Sequence, residues 1–214
     1  MCCSTEMKSL KIICLSLSIG LAACQSAQNS NHQHDSLEPL ESGQEKIVDS
    51  RFLVVPGRSV GEISLKEDMT EVGEKLGRPD AGDAAMGKAW GIWYSNDSSN
   101  GQKDELAIYS SYRDTSMVIK DVKQIRITSS KFRTQDGFTT GLSEADTKLK
   151  FPAMERVSSY LNQNKDTVTV YDARQDGIGF EFLKGKSISL TVHPMNQSVN
   201  GTYLTLHPEW KPIE

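Results

Sequence analysis

All four cysteines of the chain, Cys2, Cys3, Cys14 and Cys24, fall within its first 24 residues. Everything after Cys24 must therefore fold without a disulfide, a thiolate metal site or a thiol nucleophile. Its stability has to come from a hydrophobic core, and 214 residues are enough to close one. Hydrophobic residues at 37% and charged residues at 24% exclude a polytopic membrane protein and a wholly disordered chain. A net charge of -4 gives no support to nucleic-acid binding, and no such partner is expected.

The cysteine-bearing end reads as an address. Lys8 and Lys11 precede or open an apolar run over 12–23, broken only by Cys14, Ser16, Ser18 and Gly20. That run is shorter than the ~20 residues that span a bilayer, and it fits the core of a secretory leader. It ends in Leu21-Ala22-Ala23-Cys24, which resembles the lipobox of bacterial lipoprotein signal peptides. The resemblance implies removal of residues 1–23 and a diacylglyceryl group on the Cys24 sulfur, with the new amine acylated in turn. Palmitate and similar chains, at ~0.8 kcal/mol per buried methylene, would anchor the chain to a membrane. No other cofactor is expected. An ordinary cleaved leader with an unmodified Cys24 is the alternative, and either Met1 or Met7 fits as the start.

Residues 24–50 are expected to be the lipidated cysteine and a disordered tether, rich in Gln, Asn, Ser and His and poor in large apolar side chains. By resemblance to enterobacterial lipoproteins, Gln25 rather than Asp after the lipidated cysteine directs the chain to the outer membrane. His32, His34 and Asp35 are three potential ligands on a flexible segment, read as solvated rather than metal-binding, so no metal is expected. Residues 25–50 hold five acids and one base, whereas 51–214 hold 22 and 21. The acidity belongs to the tether, and the domain is close to neutral.

The pattern from Arg51 onward predicts an α+β domain over 51–214. A short strand at 52–55 turns at Pro56-Gly57. Leu65, Met69, Val72 and Leu76 line one helix face, opened by Asp68 with Glu71 and closed by Gly77 and Pro79. Strands are expected at 89–94, 105–110 and 122–128, the first two joined by a turn at Asn100-Gly101. A second helix opens at Ser143 with Asp146, carries Leu142, Ala145 and Leu149, and closes at Phe151-Pro152. Strands follow at 167–171, 177–183, 187–193 and 202–207. The order suggests two similar helix-plus-antiparallel-strand repeats, about 51–128 and 129–214, packed around a shared antiparallel sheet.

Residues 61–80, and Leu76-Gly77-Arg78-Pro79 above all, resemble the first element of the tandem α/β repeat of β-lactamase-inhibitor proteins and outer-membrane assembly lipoproteins. In the second half Lys150-Phe151-Pro152 stands in place of that motif and the glycine is lost. The resemblance implies a protein-binding module that uses the concave face of its sheet; it names no partner.

Chemical motifs are sparse. Gly57-Arg58-Ser59-Val60-Gly61 spells G-x-S-x-G, but a nucleophile elbow needs a helix immediately after the serine, and Glu62 to Leu65 alternate like a strand. His193 and His207, each before a proline, read as surface histidines. Gly177-Ile178-Gly179 lacks the third glycine of a dinucleotide fingerprint and fits strand glycines near a turn. Trp90, Trp93, Tyr94, Tyr109 and Tyr112 concentrate aromatics on adjacent strands; they suit core packing or, where exposed, partner contact. Alternation puts Trp90 and Tyr94 on one face and Trp93 on the other. The leading expectation is a membrane-anchored, non-enzymatic module that binds an envelope protein. A small-ligand or glycan binder is the alternative, and a serine hydrolase using Ser59 the third reading. Cys24→Ser is expected to abolish palmitate labelling and to move the protein from the detergent to the aqueous phase in cloud-point partitioning.

Overall fold

The computed structural model describes residues 48–99, 101–202 and 204–213. The expected leader, Cys24, His32, His34, Asp35 and the tether up to residue 47 lie outside the described residues, as do Asn100 and Tyr203.

The first elements are short because glycines turn the chain every few residues. A 3-10 turn, Ser50–Phe52, leads into β1 (Val54–Val55), β2 (Ser59–Val60) and β3 (Ile63–Ser64). The strand expected from residue 52 starts only at Val54, since the Asp49 carboxylate accepts from the Arg51 amide at 3.0 Å and coils the preceding residues. Gly61 has φ 54°, and a side chain there would meet the Arg51 carbonyl oxygen 2.5 Å away, so the turn requires glycine. Val54, Val60 and Ile63 are all buried in the main core.

Helix α1 (Met69–Leu76) follows its capping signals. The Asp68 carboxylate accepts from the Thr70 amide at 2.8 Å. Gly77, at φ 73°, ends the helix while its amide bonds to the Gly73 carbonyl at 2.9 Å. Val72 is fully buried, and Leu65, Met69 and Leu76 pack beside it on the expected face.

Four antiparallel strands come next: β4 (Ala81–Ala85), β5 (Lys88–Ser99), β6 (Gln102–Tyr112) and β7 (Lys120–Ile127). Helix α2 (Glu144–Lys150) precedes β8 (Glu155–Leu161), β9 (Thr167–Ala173), β10 (Ile178–Leu183) and β11 (Lys186–Val192), and β12 (Lys211–Ile213) closes the described chain. All but the first three strands form one sheet in the order β12-β8-β9-β10-β11-β7-β6-β5-β4. Its central joint is narrow: β11 meets β7 through three pairs, Leu190 with Ile127, Thr191 with Arg126 and Val192 with Ile125. One face of this sheet carries Ile108, Val122, Ile125, Ile127, Phe180 and Leu190 into the main core with the helices. Phe138, Phe151 and Phe180 pack there with ring centroids 5.1–5.8 Å apart. Among the described residues no helix is long and apolar enough to cross a membrane.

This overturns the α+β expectation of helix-plus-strand repeats around one shared sheet. The described fold is mostly β, with twelve strands in a three-stranded and a nine-stranded antiparallel sheet and only two helices, of eight and seven residues. Strand β4 was hidden because AGDAA has no apolar alternation and lies exposed along its length. Strand β8 was hidden because ERVSSYL has no regular apolar alternation and the one residue it buries is the polar Ser159. The strand expected at 202–207 is absent among the described residues of that stretch. Leu204 and Leu206 do alternate, but they press onto the sheet's second face against Trp90, Ala107 and Tyr109. Alternation reports one-sided burial, which packing on top of a sheet satisfies as well as pairing within it.

Helix α2 starts at the expected Ser143 cap, whose hydroxyl accepts from the Asp146 amide at 3.1 Å. Its expected inward face is wrong. Thr147 is fully buried, Ala145 is exposed and Leu149 is 84% exposed. The cap residue Ser143, Thr147 and Phe151 stand four apart, so that line faces the core and Leu149 falls on the far side. Phe180→Ala is expected to cost about 3–5 kcal/mol in urea denaturation, and Leu149→Glu to stay within about 0.5 kcal/mol of the parent.

Candidate functional site

Near the end of β7 Arg126 stands between Ile125 and Ile127, and in the middle of β10 Glu181 stands between Phe180 and Phe182. Alternation sends the isoleucines and phenylalanines into the main core and the charges to the opposite face. There Arg126 reaches past β11 and gives Glu181 Oε2 two hydrogen bonds, from Nε at 3.0 Å and Nη2 at 2.6 Å. Its Nη1 donates to Glu105 Oε2 of β6 at 3.1 Å, and the Ser189 hydroxyl of β11 adds a third bond to Glu181 Oε2 at 2.7 Å. The network spans four adjacent strands, and Arg126 is 5% exposed as a side chain. Burial acts to raise the Glu181 pKa, but the Arg126 charge, His207 and the hydrogen bonds outweigh it and hold the carboxyl below its ordinary value.

Residues 194–202 and 204–210 run over this face as a strap. Gly179 of β10 provides its seat: a Cβ there would lie 2.6 Å from a Val199 methyl. The Val199 amide donates to Asp172 Oδ2 at 3.0 Å, and Gln124 Nε2 donates to the Val199 carbonyl at 2.9 Å. Farther along, Trp90 Nε1 donates to the Leu204 carbonyl at 3.0 Å, and β12 then joins the sheet beside β8. Asp172 also faces His193, with Oδ1 3.0 Å from Nε2 but not aligned for a hydrogen bond. His193 is fully buried, which corrects its reading as a surface histidine.

Strap and sheet line an open-sided pocket of about 430 Å³, within the range of small-molecule sites. Trp90, Arg126, Glu181, Thr191, Tyr160, His207 and Trp210 are among its walls. His207 is half-buried and stacks on Trp210, with ring centroids 3.9 Å apart and planes 11° apart. Burial first, and then the Arg126 charge, push the His207 pKa below its ordinary value. Its Nδ1 faces Glu209 Oε1 at 3.5 Å, whereas its Nε2 is buried and has no hydrogen-bond partner among the described residues.

The five aromatics singled out in the sequence divide. Trp90 and Tyr109 are buried under the strap, 5.1 Å apart between rings. Trp93 points the other way, packs on the main core and donates from Nε1 to the Gly77 carbonyl at 3.2 Å. Tyr94 is 37% exposed, and Tyr112 is half-buried with the Lys120 amine 5.1 Å above its ring. Ser59 sits in a hairpin, paired with Val55 and Ser64, with β3 rather than a helix after it. Among the described residues no group of three or more His, Cys, Asp or Glu is placed to hold a metal ion.

The pocket residues Arg126, Glu181, Tyr160, His207 and Trp210 were not singled out in the sequence. The available signal was one charge flanked on both sides by large apolar residues, Ile125-Arg126-Ile127 and Phe180-Glu181-Phe182.

No family model, curated protein or solved structure matches the chain. Its function is read from the site itself.

Arg126→Met leaves Glu181 buried without its cation and is expected to cost about 3–5 kcal/mol at pH 7, whereas adding Glu181→Leu should recover most of that loss. The pH dependence should invert. In the parent the lowered Glu181 pKa contributes stability that is full above the unfolded value of about 4.3 and is lost as pH falls through the folded value. In Arg126→Met the uncompensated burial raises the folded pKa, so protonation stabilises the variant as pH falls through it. Urea midpoints of both proteins at neutral and acid pH test the inversion.

Proposed function

We propose that this chain is a lipid-anchored envelope lipoprotein, held at the outer membrane through Cys24, whose β domain acts by binding a small ligand under the strap. The single observation behind the binding role is the pocket of about 430 Å³ between the sheet and the strap residues Val199, Thr202, His207 and Trp210. Its charged wall is preorganised: Arg126 and Glu181 already satisfy one another, so a ligand meets fixed groups and pays little to order them. The half-buried Tyr160 and Trp210 add flat contact area at low conformational cost. The anchor rests on Leu21-Ala22-Ala23-Cys24 behind its apolar run.

An envelope protein partner is the second reading. It is favoured by β4, an edge strand exposed along its whole length, with Tyr94 on the neighbouring strand. Ligand-observed NMR with a fragment library separates the two. Parent protein is expected to give hits that disappear in Thr191→Trp, which fills the pocket from β11, with circular dichroism unchanged. A parent without pocket-dependent hits, joined by Tyr94-centred photocrosslinking to one envelope protein in intact cells, would replace the first reading with the second.

A further inference from the structure

A second concavity, of about 1070 Å³, lies between residues 48–56 and the loop 131–137, and it shares no wall residue with the strap pocket. Local pairing builds its walls. The Val54 amide donates to the Arg133 carbonyl at 2.8 Å and the Arg133 amide to the Phe52 carbonyl at 2.9 Å, which sets Leu53 beside Arg133. Alternation then turns Val54 and Phe132 toward the main core and Leu53, Val55 and Arg133 toward the groove. Val48, Leu53 and Val55 are half-buried and outside both hydrophobic clusters, so they give the groove a contiguous apolar lining.

The wall charges are unequal. Asp49 is held by Arg51, with Oδ2 2.6 Å from Nη2, and Asp136 is held by Lys150 and the Thr134 hydroxyl. Arg133 is exposed, and among the described residues its guanidinium holds only the Ser130 carbonyl, at 3.4 Å. An apolar trough with such a cation on its wall suits a long apolar chain with an acidic end. A peptide fits poorly. The wall amides of Val54, Arg133 and Thr134 already bond to carbonyls, so a peptide backbone laid there would be covered without partners. The volume, at the top of the small-ligand range, is also more than a compact metabolite fills.

We propose that this groove binds a long-chain fatty acid, its chain along Leu53, Val55 and Pro56 and its carboxylate on the Arg133 guanidinium. The site is additional to the strap pocket and does not depend on it.

The full chain, reconstituted in phosphatidylcholine nanodiscs, is offered palmitate carrying a mid-chain diazirine, and after irradiation the labelled peptides are mapped by mass spectrometry. Label is expected in 48–56 and 131–137, saturating with dose and displaced by unlabelled palmitate. Hexadecanol, the same chain without the acid, should displace it about three- to tenfold less well. Arg133→Glu, at an exposed position, should keep the parent circular dichroism and weaken labelling by at least that factor. Leu53→Trp, which fills the groove, should abolish the label, and Thr191→Trp in the strap pocket should leave it unchanged. Label that never saturates, or that spreads over the whole domain, would be bilayer partition and would overturn the proposal. So would labelling that Arg133→Glu leaves untouched, or displacement by an apolar peptide with a free carboxyl terminus more effective than by palmitate.

Discussion

The Arg126–Glu181 pair holds the centre of this fold. The nine-stranded sheet is joined at its middle by only three residue pairs between β7 and β11, too few for backbone bonding alone to define the join strongly. On one face Ile125, Ile127, Leu190 and Val192 close the joint with apolar contact. On the other, Arg126 crosses β11 to reach β10 and also takes Glu105 from β6, tying four strands together. A one-residue slip at β7 would turn Arg126 into the apolar core and Ile125 or Ile127 toward the carboxylates, so the charge pair opposes the slip energetically. Register and electrostatics are one constraint here.

The same constraint shapes the second face. Because an ion network occupies the middle of that face, it cannot serve as an ordinary apolar layer, and the covering segment meets it with mixed chemistry. Leu204 and Leu206 take the apolar patch over Trp90, Ala107 and Tyr109. Val199 fits the gap at Gly179 and is bonded at both its amide and its carbonyl. Between those anchors the strap stands off the charged centre, and the pocket is the space left. Stability and binding therefore share residues: the groups that hold the sheet in register are also the floor of the site.

Much of the local structure was legible. Asp68 and Gly77 bound α1, and Ser143 opens α2, because caps and glycine turns act through neighbours in sequence. Six of the seven expected strands after the first helix correspond to ladder strands, since alternation reports sidedness directly. Trp90 and Trp93 emerge on opposite faces for the same reason. The failures share a different cause. AGDAA in β4 and ERVSSYL in β8 are strands by virtue of what they pair with, and their own residues carry little signal. Leu149 is apolar yet exposed because α2 is phased by its cap and by Phe151. The stretch around Leu204 alternates but lies on the sheet, since a period of two cannot tell a ladder from a cover.

From the sequence by itself came the absence of cysteine after Cys24, the helix caps and most strand positions, all of which depend on residue type and near neighbours. The tertiary structure alone decided the balance of fold class, because strand membership at polar edges is conferred by partners. It also decided the site. Arg126 and Glu181 are 55 residues apart and meet only when β7, β11 and β10 lie side by side. His207 and Trp210 reach them only because the strap folds back over Gly179. Long-range pairing of single charges leaves no periodicity to read, and the pocket exists only where that pairing and the strap coincide.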